Sequence, residues 1–176
     1  MTHSRAVARL PAWSFLVAVA LLASSCAHGL AFTQDRRLTI TAPTHHTKVR
    51  LPFTVRWTMR EFDVTGPDGR TDRDAGYFGV FLDRTPVPPG KPLSWIAHDD
   101  RRCKLTPGCP DETYLATRHV YATTQTQLSF ALLPDLQSVG GHETHEVTIV
   151  LLDGAGRRIG EQAWYASFRY DRKKTA

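Results

Sequence analysis

The feature that most constrains the fold is a two-residue alternation of apolar and polar side chains in short runs. In Arg50–Met59 the apolar residues Leu51, Phe53, Val55 and Trp57 alternate with polar ones. A strand directs successive side chains to opposite faces, so this pattern is typical of a strand with one buried face. No long run with the period of a helix is present, although Asp111–Ala116 has the length of one helical turn.

Further strand-sized runs follow along the chain, separated by segments rich in glycine, proline and aspartate. Asp153–Gly156 reads as a hairpin turn, and the run before residue 84 is apolar on both faces, as in the middle of a sheet. The predicted strands are Leu38–Thr41, Arg50–Met59, Gly76–Arg84, Leu93–His98, Thr117–Thr123, Gln127–Leu133, Glu146–Leu152 and Arg158–Tyr170. Short strands of this spacing predict an all-β fold, an antiparallel β-sandwich of seven to eight strands.

Three stretches carry a resemblance to a known domain class. They are Leu38–Pro43 (LTITAP), Leu51–Trp57 (LPFTVRW) and His145–Gly154 (HEVTIVLLDG). Together they resemble the immunoglobulin-like or fibronectin-III-like domains appended to bacterial surface proteins. The resemblance implies an immunoglobulin-like sandwich over residues 37–171, and a fold of that class says little about function.

The N-terminus has the organisation of an export signal. Met1–Arg9 contains two arginines and no acidic residue, and Phe15–Ala23 is apolar and uncharged. This apolar run is too short to cross a bilayer as a helix, but it has the length of a secretory core. We therefore expect residues 1–25 to be a signal peptide.

The end of this signal, Leu22–Cys26 (LASSC), resembles the lipobox of bacterial lipoproteins. The resemblance implies cleavage before Cys26, diacylation of its sulfur, and a protein anchored in the lipid bilayer on the extracytoplasmic face of a cell membrane. Residues 26–36 then form a flexible tether. An ordinary signal peptide remains the alternative, because Ala23 and Ser25 also satisfy a small-x-small cleavage pattern.

Charge and length restrict the function classes. Without residues 1–25 the chain has 20 basic and 17 acidic side chains, because the signal removes two of its 22 Lys and Arg residues. This small excess does not indicate binding to nucleic acid, and the remaining 151 residues suit one domain. The basic tail, residues 172–176, is interpreted as solvated charge.

The three cysteines suggest one disulfide and one spare thiol. Cys103 and Cys109 enclose five residues, and in an oxidising compartment this spacing favours a local disulfide. A zinc site would need further ligands, and a redox pair would favour Cys-x-x-Cys spacing, so both are weaker alternatives. Pairing leaves Cys26 free for acylation.

Histidines are the main candidates for a metal site, and they are weak ones. His142 and His145 lie three apart, which places them on opposite faces of a strand, while His45 and His46 lie in an early loop. The chain resembles exported copper-binding sandwiches of the copper-resistance C type in architecture and in having His28 near its mature end. However, Met59 is its only methionine after maturation, so a methionine-rich Cu(I) site is excluded.

The aspartates of residues 62–75 lack the regular spacing of a calcium loop, and arginines are interspersed among them. They are Asp63, Asp68, Asp72 and Asp74. We predict no bound metal and no cofactor.

No sequence motif indicates catalysis. A Gly-x-Ser-x-Gly elbow is missing, and the paired carboxylates are merely adjacent in sequence. The candidate binding surface comprises Trp95, His98, Arg101 and Arg102, on loops that prolines and the disulfide would preorganise. The sequence therefore favours a non-catalytic module that binds a ligand or an envelope protein. The alternatives are an exported copper- or zinc-binding sandwich and an envelope enzyme without a recognisable motif.

Overall fold

The structure, a computed structural model, describes residues 35–135 and 143–170. The predictions for the signal peptide, Cys26, His28, His142 and the basic tail lie outside these residues. The described chain is mostly β-strand with few helices, which confirms an all-β fold. Its strands are β1 Leu38–Ala42, β2 Lys48–Val49, β3 Phe53–Met59, β4 Asp63–Val64, β5 Ala75–Leu82, β6 Val120–Thr123, β7 Gln127–Phe130, β8 Glu143–Leu152 and β9 Trp164–Tyr170.

The strands form two sheets. One has three strands in the order β1-β3-β7, and the other has six, in the order β2-β9-β8-β5-β4 with β6 also paired to β5. The longer strands pair antiparallel, with Val80 opposite Ile149 and Val147 opposite Ala166. The two-residue strands β2 and β4 pair parallel with β9 and β5, a feature that the alternating pattern does not predict.

The main core lies between the two sheets and follows the sequence alternation. Val55 and Trp57 of β3 are buried, as are Phe78 of β5 and Phe168 of β9. The Trp57 and Phe78 rings meet edge to face with centroids 5.4 Å apart, a favoured arrangement for aromatic pairs. Side chains from both sheets therefore share one apolar cluster.

A second, smaller core lies on the other face of the six-stranded sheet. Tyr77 and Phe81 of β5 project there, and the segment between β5 and β6, residues 83–119, covers them with Val87, Leu93 and Leu115. This cover explains why the sequence of β5 is apolar on both faces. We call residues 83–119 the β5–β6 segment.

The β5–β6 segment is helical at Leu93–Ala97 and Arg101–Leu105, where the sequence predicted a strand and a loop, and at Glu112–Thr117, close to the helical turn that Asp111–Ala116 suggested. It contains a 3-10 helix, Leu93–Ala97, and two short helices, α1 Arg101–Leu105 and α2 Glu112–Thr117. The prediction of a strand at Leu93–His98 is wrong. The buried residues of this segment, Leu93 and Ala97, lie four residues apart, so one helical turn directs both to the core. A strand would place Trp95 on the same face and bury it as well.

The last strand starts later than predicted, at Trp164 instead of Arg158. Arg158 is buried, and its guanidinium donates to the carbonyl oxygens of Val87 at 2.7 Å and of Glu161 at 2.7 Å. Burial lowers the pKa of Arg158. These bonds hold the residues that follow the hairpin turn against the β5–β6 segment. As a consequence, the strand that pairs with the sheet begins only at Trp164.

The chain enters the described fold beside the start of β5. The carbonyl oxygen of Asp35 accepts a hydrogen bond from Trp164 Nε1 at 3.1 Å. Arg37 donates to Asp35 and, at 2.9 Å, to Asp74, the residue before β5. Asp35, within the predicted tether, is thus part of the fold, and the start of the domain is fixed at this end of β5.

Candidate functional site

An open groove in the β5–β6 segment gathers most of the predicted binding surface. Its volume is about 540 Å³. The lining residues are Arg84, Ile96, His98, Asp99, Asp100, Arg101, Arg102, Tyr114 and Arg118. We call it the arginine groove, because four of its lining residues are arginines, which come from three places: the end of β5, the start of α1 and the end of α2.

Asp100 organises the floor of the groove. Its Oδ1 caps α1 by accepting the backbone N–H groups of Arg102 at 2.9 Å and Cys103 at 3.1 Å. Its Oδ2 accepts the Tyr114 hydroxyl at 3.0 Å and Arg118 Nη2 at 3.3 Å. The Cys103 N–H and the Tyr114 hydroxyl hold the pKa of Asp100 below its usual range. This carboxylate therefore stays charged and links the two helices.

Arg118 is held in place from two sides. Besides its bond to Asp100, its guanidinium carbon lies 5.0 Å from the centre of the Tyr114 ring, within cation–π distance. Burial, together with the bond to Asp100, raises the pKa of Tyr114, so this hydroxyl remains a donor at neutral pH. The remaining donors of Arg118 face the groove.

The predicted disulfide between Cys103 and Cys109 is confirmed, with the Cα atoms 5.2 Å apart. Cys103 is buried within α1, and Cys109 lies just ahead of Asp111, which caps α2 by accepting the Tyr114 N–H at 2.7 Å. The bond thus ties α1 to the start of α2. It braces the groove rather than supplying a thiol to it.

Trp95 supports the groove without lining it. The His98 ring stacks on Trp95 at 4.2 Å with an interplanar angle of 8°, and the Lys91 ammonium lies 4.4 Å from the centre of the Trp95 ring. His98 Nδ1 faces the Trp95 carbonyl oxygen at 2.7 Å, and its Nε2 faces Asp99 at 2.9 Å. Both ring nitrogens of His98 therefore face oxygen atoms of the protein, the Trp95 carbonyl and the Asp99 carboxylate.

The remaining guanidinium groups of the groove are free to bind a ligand. Arg101 and Arg102 are exposed and Arg84 is half-buried. Within residues 35–135 and 143–170 their side chains form no hydrogen bond or ion pair. Four guanidinium groups against the carboxylates of Asp99 and Asp100 leave the groove with two excess positive charges. The site is therefore suited to an anion.

His145, a weak metal-ligand candidate in the sequence, lies in the interior of the domain. Its side chain is fully buried, with Nδ1 2.7 Å from Asp83 Oδ2 and Nε2 3.3 Å from Glu143 Oε2. Asp83 has a positive φ of 53° and also accepts the Glu146 N–H at 2.8 Å. The ring lies between two carboxylates in the interior, so His145 has a structural role there.

The other histidine candidates lie apart from His145. His45 packs edge-on against Tyr165 at 5.3 Å and accepts the Ser167 N–H at 3.3 Å, on the outward face of β9. His46 has a positive φ of 61°, and its N–H donates to the Ser167 carbonyl. In the described parts of the chain no three His, Cys, Asp or Glu residues are grouped so as to hold a metal.

The aspartates considered for calcium are used by neighbouring groups. Asp68 pairs with Arg70 at 2.6 Å, and Asp74 pairs with Arg37 at 2.9 Å. Asp72 accepts the N–H of Asp74 at 2.9 Å. Each of these three carboxylates thus contacts a different group along the loop.

Several groove residues were missed by the sequence reasoning, namely Arg84, Asp100, Tyr114 and Arg118. The signal that could have found them is a pair of aspartates, Asp100 and Asp111. Each can act as the N-cap of a short helix that follows it in the sequence. Two helices starting there would have brought Tyr114 and Arg118 towards α1.

Comparisons with known proteins identify no relative. No protein-family model matches the chain, and neither the curated proteins nor the solved structures include a significant match. None of the helices described here is long and apolar enough to cross a membrane.

Proposed function

We propose that this chain is a non-catalytic binding module, held by a lipid anchor at Cys26 on the extracytoplasmic face of a cell membrane. It binds a ligand or an envelope protein through the arginine groove. The observation that carries this proposal is that four arginines line one open, disulfide-braced groove. Grooves that place several like charges together are suited to recognition of a partner of opposite charge.

The groove lining favours binding over catalysis. It contains no serine, threonine or cysteine that would serve as a nucleophile. Its carboxylate Asp100 is engaged by four donors, and both nitrogens of His98 face oxygen atoms. Asp100 and His98, two of the groups that would act as general acid or base, are therefore engaged in structural contacts, and the third, Asp99, is largely exposed to solvent.

The disulfide supports the proposed location. A bond between Cys103 and Cys109 persists in an oxidising compartment, whereas cytosolic reductants keep such thiols apart. The lipobox-like Leu22–Cys26 supplies the anchor in this proposal. Cys26 is then the cysteine left for acylation.

The strand pairing supports an immunoglobulin-like sandwich. In that fold the first, second and fifth strands share a sheet, and the third, sixth and seventh form the other. Here β1, β3 and β7 form one sheet, while β5, β8 and β9 are neighbours in the other, with β6 added beside β5. The β5–β6 segment is then a long insertion that carries the site.

A capture experiment tests the binding function. Tagged full-length protein is purified from detergent-solubilised membranes of the expressing bacterium, and its co-purifying components are compared between variants. We expect R101E/R102E to lose a component that wild-type protein retains, because the substitutions reverse two groove charges. The control R56E/R169E makes the same charge change at exposed strand residues of β3 and β9 and should retain it.

Retention of every component by R101E/R102E would show that the groove is not the binding surface. A saturating, submicromolar response to Cu(II) or Zn(II) in calorimetry would favour the exported metal-binding alternative instead.

The anchor has a separate test. Mass spectrometry of the membrane fraction should show a mature N-terminus at Cys26 carrying acyl chains, and Cys26→Ser should release the protein from that fraction. An unmodified N-terminus further along the chain would contradict the anchor and leave the groove proposal standing.

A further inference from the structure

We propose that the arginine groove binds a phosphate monoester. This inference rests on the proposed binding function and specifies its ligand. It is carried by the charge of the groove, by the three elements that contribute its arginines, and by the contacts that hold Arg118 and α1 in place.

The net charge of the groove matches a dianion. Its four arginines exceed its two carboxylates by two charges, and Asp100 is already surrounded by donors. Asp99 projects into solvent, 90% exposed, and faces His98. A phosphate monoester carries about −1.5 to −2 charges at neutral pH, whereas a carboxylate or a phosphodiester carries about one.

The arrangement of donors suits a tetrahedral anion. A planar carboxylate is satisfied by one or two guanidinium groups lying in its plane. In the groove the guanidinium groups come from the end of β5 (Arg84), the start of α1 (Arg101 and Arg102) and the end of α2 (Arg118). Oxygens that point in several directions, as in phosphate, can accept from all three sources at once.

Arg118 and the backbone of α1 are held in place before the ligand arrives. Tyr114 and Asp100 fix Arg118, and the cap at Asp100 and the disulfide fix α1. Preorganisation lowers the entropic cost of binding a small anion. A small phosphorylated molecule, with few other contacts to offer, needs this advantage.

The first experiment compares two small probes that share a ring, phenyl phosphate and benzoate. Full-length protein in a non-ionic detergent is titrated calorimetrically with each probe at neutral pH and constant ionic strength. We expect phenyl phosphate to bind with a dissociation constant below about 1 mM and at least about tenfold more tightly than benzoate. Equal affinities, or no phenyl phosphate binding at roughly 10 mM, would overturn the proposal.

Variants locate the probe in the groove. R101E/R102E should weaken phenyl phosphate binding at least about tenfold, and R56E/R169E should change it less than about twofold, because distant exposed charges are screened by salt. R101Q/R102Q, which removes the charges without reversing them, should also weaken binding, with near-ultraviolet circular dichroism confirming the fold. Equal weakening by the groove and strand variants would refute a site in the groove.

A lipid comparison distinguishes the source of the phosphate. Glycerol 3-phosphate and dihexanoyl phosphatidic acid carry the same monoester, and only the second has acyl chains. We expect affinities within about threefold of each other, since the lining residues are almost all polar. Binding of the lipid more than about tenfold tighter would identify the phosphate monoester as a lipid headgroup.

Failure of this inference can be distinguished from failure of the binding function. If R101E/R102E loses its captured component but phenyl phosphate neither binds nor displaces it, the groove binds a partner and the ligand class is wrong. If phenyl phosphate binds in the groove while R101E/R102E retains every component, the phosphate site stands and the partner function fails.

Discussion

Replacing His145 with alanine should destabilise the domain strongly. The ring is fully buried, and its two nitrogens face Asp83 at 2.7 Å and Glu143 at 3.3 Å. Removal leaves the largely buried Asp83 Oδ2 without the ring nitrogen that it faces, which costs about 1–3 kcal/mol and more for a charged group, and it leaves a cavity in the core. The replacement also removes the stacking of His145 on Phe168, whose centroid lies 5.7 Å away.

A double-mutant cycle separates the charge contact from the lost packing. Asp83→Asn keeps an acceptor for the Glu146 N–H and tolerates the positive φ of residue 83, but it removes the negative charge. We expect the free energies of unfolding of H145A, D83N and the double variant to give a coupling of at least about 1 kcal/mol.

Urea-induced unfolding at neutral pH, followed by tryptophan fluorescence on the full-length chain, supplies these free energies. His98→Ala is the matched control, because His98 is exposed and its loss should change stability by about 0.5 kcal/mol or less. A cost below about 1 kcal/mol for H145A, or effects of H145A and D83N that simply add, would refute the electrostatic role of His145.

Three further predictions use the same unfolding measurement. Replacing both Cys103 and Cys109 with alanine should lower the free energy of unfolding by about 2 kcal/mol, because the closure of a short loop is lost. A reductant should then destabilise the wild type and leave the double variant unchanged, and equal destabilisation of both would contradict this. The native pKa of Asp100 is depressed, so its contribution to stability is present above the unfolded pKa of about 3.9 and is lost as the pH falls through the native pKa. Asp100→Asn should therefore flatten the loss of stability on the acid side. An unchanged dependence of the unfolding free energy on pH would count against this. Arg158→Met should cost at least about 2 kcal/mol because carbonyl oxygens lose a charged donor, whereas a neutral effect would mean that water replaces it.

The sheets were predictable from the sequence because one rule governs them. Alternation in β3 and β9 places Val55, Trp57, Ala166 and Phe168 in the core, and the structure buries all four. A strand with one buried face repeats every two residues, so even a short run is informative. The run apolar on both faces, β5, likewise indicated a central strand.

The β5–β6 segment was not predictable in the same way. Its helices have five or six residues, too few for a helical period to be recognised, and they depend on the caps at Asp100 and Asp111 and on packing over Phe81. The groove arises when distant residues such as Arg84 and Arg118 meet. That meeting depends on tertiary structure, which no local pattern encodes.

The way the β5–β6 segment closes on itself has a consequence for how this protein can vary. The N–H of Leu82 donates to the carbonyl oxygen of His119 at 2.9 Å, so the two ends of the segment meet at the edge of adjacent, directly paired strands. All the groove residues lie between these two ends. A short turn between β5 and β6 would therefore leave the strand pairs of the sheet intact but would uncover Tyr77 and Phe81. A different segment would give the same sheets a new binding surface, provided that it supplied its own apolar cover for this face.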